Sequence, residues 1–418
     1  MNGCPIDHPE EGSDLLTQDV EDLVANFMIF DPRLAADPYP VLDRIREKCP
    51  IGYSKQFGGY WVLTKVEHMR HVLTHPELFS STVPIIPRLP SENMLLNIPV
   101  GVDPPDHTAY RRLLGSIFSP TRIKSLEPAI RDYAQRAAHR ITAQDGPIDF
   151  LHDFAVPLPA AALLSTLGLP ETDLELLLRF RDEMTTSQFS PDPGVREHFV
   201  NVTFHEISEY FQRGIEARRD RATAADDFFT AIVHSRFRDE RPLTDPEIIG
   251  IVSLLISAGL DTTAAQLCFF MIFFAAHPQR WQEIIDHPRR IPGAVEELLR
   301  LHSSVTPGRL VMADTEIGGV PVKKDEMVCV VLPASAHDED EFPDALTADF
   351  ERSPNRHLAF GGGPHLCLGA NLARFQLRIA LEELTRAMPS FRIASGTAPE
   401  RVTGILMGVT SLFLEPQS

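Results

Sequence analysis

Residues His357–Arg374 read HLAFGGGPHLCLGANLAR. One cysteine, Cys367, sits in a glycine-rich loop that opens directly into a helical pattern. Glycines let the backbone turn tightly and approach a flat ligand closely. A helix start beside the sulfur presents free N–H groups, which favour thiolate over thiol. A thiolate held this way serves as a nucleophile or as a metal ligand. The sequence fixes no general base nearby, and the glycine content suits backbone packed against a planar cofactor. The plainer alternative is a glycine turn around a buried cysteine.

Upstream, Ile248–Ala276 is almost wholly apolar but carries Asp261, Thr262 and Thr263 in its middle and Gln266 just after. The pattern predicts a buried core helix with a polar interruption, not a membrane span. Gly259 and Thr262 are expected to loosen the helical ladder and open a pocket. Taken alone, Asp261 and the threonines read equally as groups bonding nearby backbone. Glu297 and Arg300 stand three apart on one helix face and can pair. A surface pair of that spacing contributes little.

Helical spacing covers most of Thr108–Arg300, with Pro punctuation. Ile51–Lys65 reads as a hairpin around Gly58-Gly59. Arg309–Leu332 alternates at period two, with turns at Gly318-Gly319 and Lys324-Asp325. An irregular stretch, 333–364, precedes a helix over Leu368–Met388, and Gly404–Pro416 reads as a final hairpin. No repeat or low-complexity linker divides the chain. The expectation is one domain over residues 1–418, mainly α (α+β), with long helices and small antiparallel sheets.

The net charge is −19, which repels phosphate backbones and argues against nucleic acid. The 35 prolines in 418 residues exceed the average of about 5% and predict many helix boundaries. Five cysteines, scattered and odd in number, exclude a disulfide framework and fit a reducing cytoplasm. The N-terminal MNGCPIDHPEEGSDLL lacks the order of a signal peptide. Cys268 and Cys329 lie in apolar runs and read as core.

Phe360, Gly361, Gly363, His365, Cys367 and Gly369 fill every fixed position of F-G-x-G-x-H-x-C-x-G. That pattern resembles the haem-binding signature of the cytochrome P-450 monooxygenases, soluble bacterial type. The resemblance implies that Cys367 is the thiolate ligand of the iron of haem b, within a loop bearing Phe360, Gly361 and Gly369. Ala258–Thr263 resembles the family's A-G-x-[DE]-T-T oxygen-activation motif, so Asp261 and Thr262 would relay protons to O2. Glu297 and Arg300 resemble its E-x-x-R helix, with Arg352 as the third, structural member. Matching positions give His107, Arg111, Arg309 and His365 as partners of the haem propionates. Two departures stand out: Gln376 where a Glu is common, and Ala348 where an aromatic usually precedes Asp349. The resemblance runs from Asp37-Pro38-Tyr39 to the C-terminal hairpin and implies the triangular P-450 fold around a buried haem.

The implied reaction inserts one oxygen atom of O2 into an unactivated C–H bond. Pocket positions by resemblance are Ile85, Ile86, Leu89, Met94, Leu95 and Leu96, then Leu254 and Ala258, Val305 and Thr306, and Ile405 and Leu406. They are almost all apolar, so a hydrophobic small molecule follows: a terpenoid, steroid, fatty acid or aromatic. Thr185 and Thr186 are candidate polar contacts. The expected electron donor is a separate [2Fe-2S] or similar ferredoxin with its reductase, serving a monomer without a membrane anchor. Two rivals are a peroxide-using haem-thiolate enzyme, against which Asp261-Thr262 argues, and a haem-based sensor or binding protein, which has no need of the proton relay.

Overall fold

The apolar run after Thr244 forms one uninterrupted helix, Asp245–Ala276. Thr244 and Glu247 build a capping box at its start, and the helix ends at His277, immediately before Pro278. Ile251, Val252, Ile256, Leu260 and Leu267 are buried on several sides of it, as expected for a helix that is apolar all round. It is long and apolar enough to cross a membrane by length and composition, yet most of its apolar window is packed inside the protein. The computed structural model describes residues 15–88, 97–187, 192–220 and 227–417 and, of Thr185 and Pro193, only the backbone.

The expected loosening of this helix does not occur. Thr262 Oγ1 donates to the Ala258 carbonyl at 2.8 Å, and the helix runs on without a break. Room arises instead from an open face: Ala258 and Gly259 are exposed, and Leu254, Leu255 and Thr262 partly so. A Cβ built on Gly259 meets no atom within 4 Å.

Around the core helix pack Pro157–Leu167, Leu174–Ser187, Phe204–Arg218 and Ala370–Ala387, and Glu127–Thr142 packs in turn on the first and last of these. Their apolar faces share one core, with Phe150, Phe154, Phe211, Phe229, Phe270 and Phe274 fully buried. A second core lies under a five-stranded sheet ordered Ile51–Ser54, Tyr60–Leu63, Met327–Val330, Gly308–Val311, Phe79–Ser80. Its pairings are antiparallel except Tyr60–Leu63 with Met327–Val330, which is parallel.

The first hairpin pairs Ile51 with Leu63 and Ser54 with Tyr60. Gly59 turns at φ +99°, and a Cβ there would stand 2.0 Å from the Tyr53 hydroxyl, so only glycine fits. The Gly318-Gly319 turn joins Thr315–Ile317 to Val320–Val322, with φ positive at both glycines. The period-two expectation fails in Gly308–Val311 and Met327–Val330, which are buried at every position; inner strands covered on both faces need no polar side. The final hairpin also differs. Gly408–Ser411 pairs with Glu400–Val402, while Phe413–Pro416 joins Phe391–Ile393 and Ile148–Asp149. The single buried residue between them, Leu412, passes the chain from one sheet to another and is too short to reverse it.

Beneath the cysteine loop, Glu297 and Arg300 are both fully buried and pair at 2.8 Å. Arg300 also donates to the carbonyls of Ala336 (2.5 Å) and Ala345 (2.8 Å). Arg352 Nε reaches Glu297 at 3.1 Å, and Asp349 N–H and Asn355 Nδ2 complete the shell at 3.0 Å each. Three charges thus tie one helix, Ile291–Leu301, to the irregular segment that leads to Cys367.

Two outcomes follow. Arg300→Ala leaves Glu297 buried without its main partner, so stability falls by about 3–5 kcal/mol, read as a lower urea midpoint; an unchanged midpoint contradicts the hub. Acid sensitivity has an identifiable contributor. Hydrogen bonds from Arg241 hold the Glu247 carboxyl down against the cost of its burial, aided by Tyr110 and Thr244, and bring it from 4.5 to about 2. Its folded value lies below its unfolded one, so its stabilisation is complete above about pH 4.5 and is lost as pH falls toward 2. Thermal melts of Glu247→Gln are expected to lose part of the parent's decline across that window; identical pH profiles refute the assignment.

Candidate active site

Cys367 lies between a short turn, Gly363–His365, and the helix Ala370–Ala387. Gly361 and Gly363 have φ of +70° and +63°; a Cβ on Gly363 would stand 2.1 Å from the Leu73 carbonyl, while one on Gly361 meets nothing within 4 Å. The loop therefore needs glycine at 363 to seat on the helix Val66–Thr74, and at 361 it leaves an open face. Cys367 N–H donates to the Phe360 carbonyl at 2.9 Å. Cys367 is itself exposed at the open face of the loop; the protein packed around the sulfur nonetheless pushes its thiol up, and the N–H groups of Gly369 and Ala370 and the guanidiniums of Arg111 and Arg374 pull it down without cancelling that rise. The helix start thus assists the thiolate but does not secure it alone.

Four side chains from three elements converge beside this loop. His107 and Arg111 come from the helix Asp106–Ile117, Arg309 from the strand Gly308–Val311, and His365 from the loop itself. The His107 and His365 rings lie 3.9 Å apart. Burial, then Arg111, holds His107 down to about 4, against a weaker upward pull from Asp103. Burial, then His107, Arg309 and Arg111, holds His365 down to about 3. Both rings are therefore neutral near pH 7. Burial also lowers Arg309 to about 10, and only Asp103 opposes it. Asp103 is itself engaged by Ser80 Oγ and Ser81 N–H.

Both ring nitrogens of His107 and Nε2 of His365 are buried without a hydrogen-bond partner. Unsatisfied buried donors are costly. Two guanidiniums and two orphaned imidazoles suit an anionic ligand with more than one carboxylate. The donor set, the open glycine face and the sulfur together fit a haem.

Asp261 and Thr262 lie on the core helix, away from this cluster of contacts. The Asp261 carboxylate accepts from Arg181 Nε of the helix Leu174–Ser187, and Arg181 Nη1 also meets Asp182 at 2.7 Å. Arg181 lines a cleft of about 590 Å³ with Tyr133, Arg140 and His152. Sequence reasoning missed Arg181, whose helix carries no motif.

Of the pocket positions, Leu254, Ala258, Val305, Ile405 and Leu406 keep accessible surface. Ile86 does not: it is 2% exposed and packs in the second core, and Ile85 is the open member of that pair. Thr306 is buried, its Oγ1 donating to the Gly404 carbonyl at 2.9 Å. Thr186 Oγ1 is taken by the Asp182 carbonyl at 2.8 Å. Leu89, Met94, Leu95 and Leu96, and the Thr185 side chain, lie outside the described residues. Gln376 is 4% exposed with Oε1 unpartnered, and the Ala348 carbonyl accepts from Arg280 at 2.7 Å. Cys268 and Cys329 are fully buried, as expected of core cysteines.

The family model for cytochrome P450 matches residues 291–402. A probable cytochrome P450 127A1 of Sinorhizobium fredii is 34% identical over 402 residues, covering 94% of each chain. A steroid C26-monooxygenase of Mycolicibacterium smegmatis is 31% identical over 92% of each chain. The crystal structure of cytochrome P450 CYP101C1 superposes with a TM-score of 0.85 at 26% identity, covering 94% of this chain and 97% of that one. The mostly helical architecture with small sheets is the triangular fold of these proteins. The protein is thus a member of the cytochrome P450 family of haem-thiolate oxidoreductases, a membership that implies haem b and O2.

Proposed function

We propose that the protein is a monooxygenase that inserts one oxygen atom of O2 into a C–H bond of an apolar small molecule, using electrons from a separate ferredoxin and its reductase. The observation that carries this reading is the convergence of Cys367 with His107, Arg111, Arg309 and His365. Bound haem supplies the one-electron redox steps and the activation of O2.

Cys367 Sγ would hold the haem iron. Its thiolate would be favoured over the thiol by a bound cation, and the Gly369 and Ala370 N–H groups bond the sulfur and favour the same form. Arg111 and Arg309 would neutralise the haem propionates, and His107 and His365 would donate to them as neutral imidazoles. Glu297, Arg300 and Arg352 brace the loop without taking part in the chemistry. Thr262, whose hydroxyl bonds the Ala258 carbonyl at rest, would turn that proton toward the open face of the core helix. Asp261 resupplies it from the side of Arg181, whose cleft gives access to solvent.

Leu254, Ala258, Val305, Ile405 and Leu406 exclude water and select an apolar substrate, of the terpenoid, steroid, fatty acid or aromatic kind. A steroid-oxidising relative supports that polarity. The four described cysteines are unpaired, which supports a cytoplasmic setting. Arg112 is exposed beside Arg111 and suits an acidic ferredoxin despite the net charge of −19; Arg122, in contrast, stacks over Phe228 at 4.9 Å.

Turnover with NADH, ferredoxin reductase, ferredoxin and O2 tests the reading, with substrates first ranked by haem spectral shift. Product must form and stop when ferredoxin is omitted; peroxide-driven turnover alone contradicts it. Thr262→Ala is expected to bind substrate and consume NADH while more electrons end as hydrogen peroxide; coupling equal to the parent's removes Thr262 from the proton path. Arg112→Glu is expected to slow the first electron transfer at low salt, with the defect shrinking as salt rises. A parent-like rate in that variant places the docking surface elsewhere.

A further inference from the structure

The cysteine loop is held at both ends by one carboxylate that no motif reading assigned. Glu296, on the helix Ile291–Leu301, accepts from Arg374 Nε at 2.6 Å and Nη2 at 2.9 Å. The same carboxylate meets His357 Nε2 at 3.1 Å. His357 is nearly buried, and its Nδ1 accepts the Ala359 N–H at 3.2 Å. That acceptor role fixes the tautomer: Nε2 carries the proton and donates to Glu296. Arg374 in turn lies 4.5 Å over the Phe360 ring, and the Phe360 carbonyl receives the Cys367 N–H at 2.9 Å. Burial raises the Glu296 carboxyl, but His357 and Arg374 outweigh it and hold it at about 2, so it is ionised throughout the working range.

We infer that Glu296 is a positioning residue for the cysteine loop, clamping His357 before it to Arg374 after it and neutralising a guanidinium whose charge bears on the Cys367 sulfur. The inference rests on the reading of Cys367 as the haem ligand and adds a second role: setting the electron density of that thiolate. With Glu296 present, the Arg374 charge is largely compensated. Without it, the charge acts on the sulfur, withdraws electron density and favours the reduced iron.

The test uses the haem-loaded protein and its Glu296→Gln, Arg374→Gln and double variants. Redox titration reads the ferric/ferrous potential of each. The expected result is a positive shift in Glu296→Gln, a negative shift in Arg374→Gln, and a return toward the parent in the double variant. A purely structural role does not produce opposite signs. In mild urea, the thiolate-type Soret band of the reduced CO complex is expected to decay roughly threefold faster in each single variant, the scale of one partly exposed ion pair. Equal potentials in all four proteins, or shifts of one sign in both single variants, overturn the inference while a thiolate band in the parent leaves the reading of Cys367 intact. A parent without that band overturns that reading and the inference with it. If Glu296→Gln fails to load haem, Arg374→Gln and the double variant decide alone: a double variant as far from the parent as Arg374→Gln overturns the charge role.

Discussion

The structure depends on one buried ion pair. Glu297 and Arg300 lie on adjacent turns of one helix, both without solvent contact. Burying two charges costs several kcal/mol each, and their attraction offsets this only when the remaining polar atoms are satisfied. Here they are. Arg300 is spent on backbone carbonyls of the segment after Leu332, and Glu297 on Arg352, Asn355 and the Asp349 N–H. That segment has almost no regular structure of its own, so its position is set by these bonds. The cysteine loop begins where it ends. A loop without its own hydrogen-bond ladder is thereby carried to a fixed place by an ion pair that takes no part in the chemistry.

Charge follows a second pattern around that loop. Two arginines and two neutral histidines collect beside the loop, opposed among the described carboxylates by Asp103. Elsewhere in this acidic chain arginines such as Arg131, Arg241, Arg280 and Arg352 are paired with carboxylates or carbonyls. Here, among the described residues, neither Arg111 nor Arg309 makes a salt bridge, and Arg309 Nη1 bonds only the Gly308 carbonyl at 2.7 Å; such a cluster inside a folded protein suits an anionic partner. On the other side, Arg374 is matched by Glu296. The sulfur is therefore under the influence of one guanidinium available to a ligand, Arg111, and of another already paired, Arg374.

Much of this was legible from residues alone, for physical reasons. The glycines, Cys367 and His365 had to fall at fixed spacings because the loop must turn tightly next to a helix start. The apolar run around Asp261 was bound to be a core helix because nothing else buries so much apolar surface. Less legible was anything decided by packing at a distance. Arg181 meets Asp261 from a helix with an ordinary amphipathic pattern. Glu296 adjoins Glu297, and nothing local says which of the two carboxylates faces the arginine of its own helix and which faces Arg374. Ile85 and Ile86 are the same residue type, and only the packing of Ile86 into the second core decides which is open. The C-terminal strands alternate as a hairpin would, but Leu412 hands the chain between two sheets, which periodicity does not reveal.

The most direct measurement is the absorption spectrum of the haem-loaded protein, reduced and exposed to carbon monoxide. Cys367 as the axial thiolate predicts a strongly red-shifted Soret band in the parent and its loss, together with monooxygenase activity, in Cys367→His. A Cys367→Ala protein that kept both the band and the activity would contradict the account.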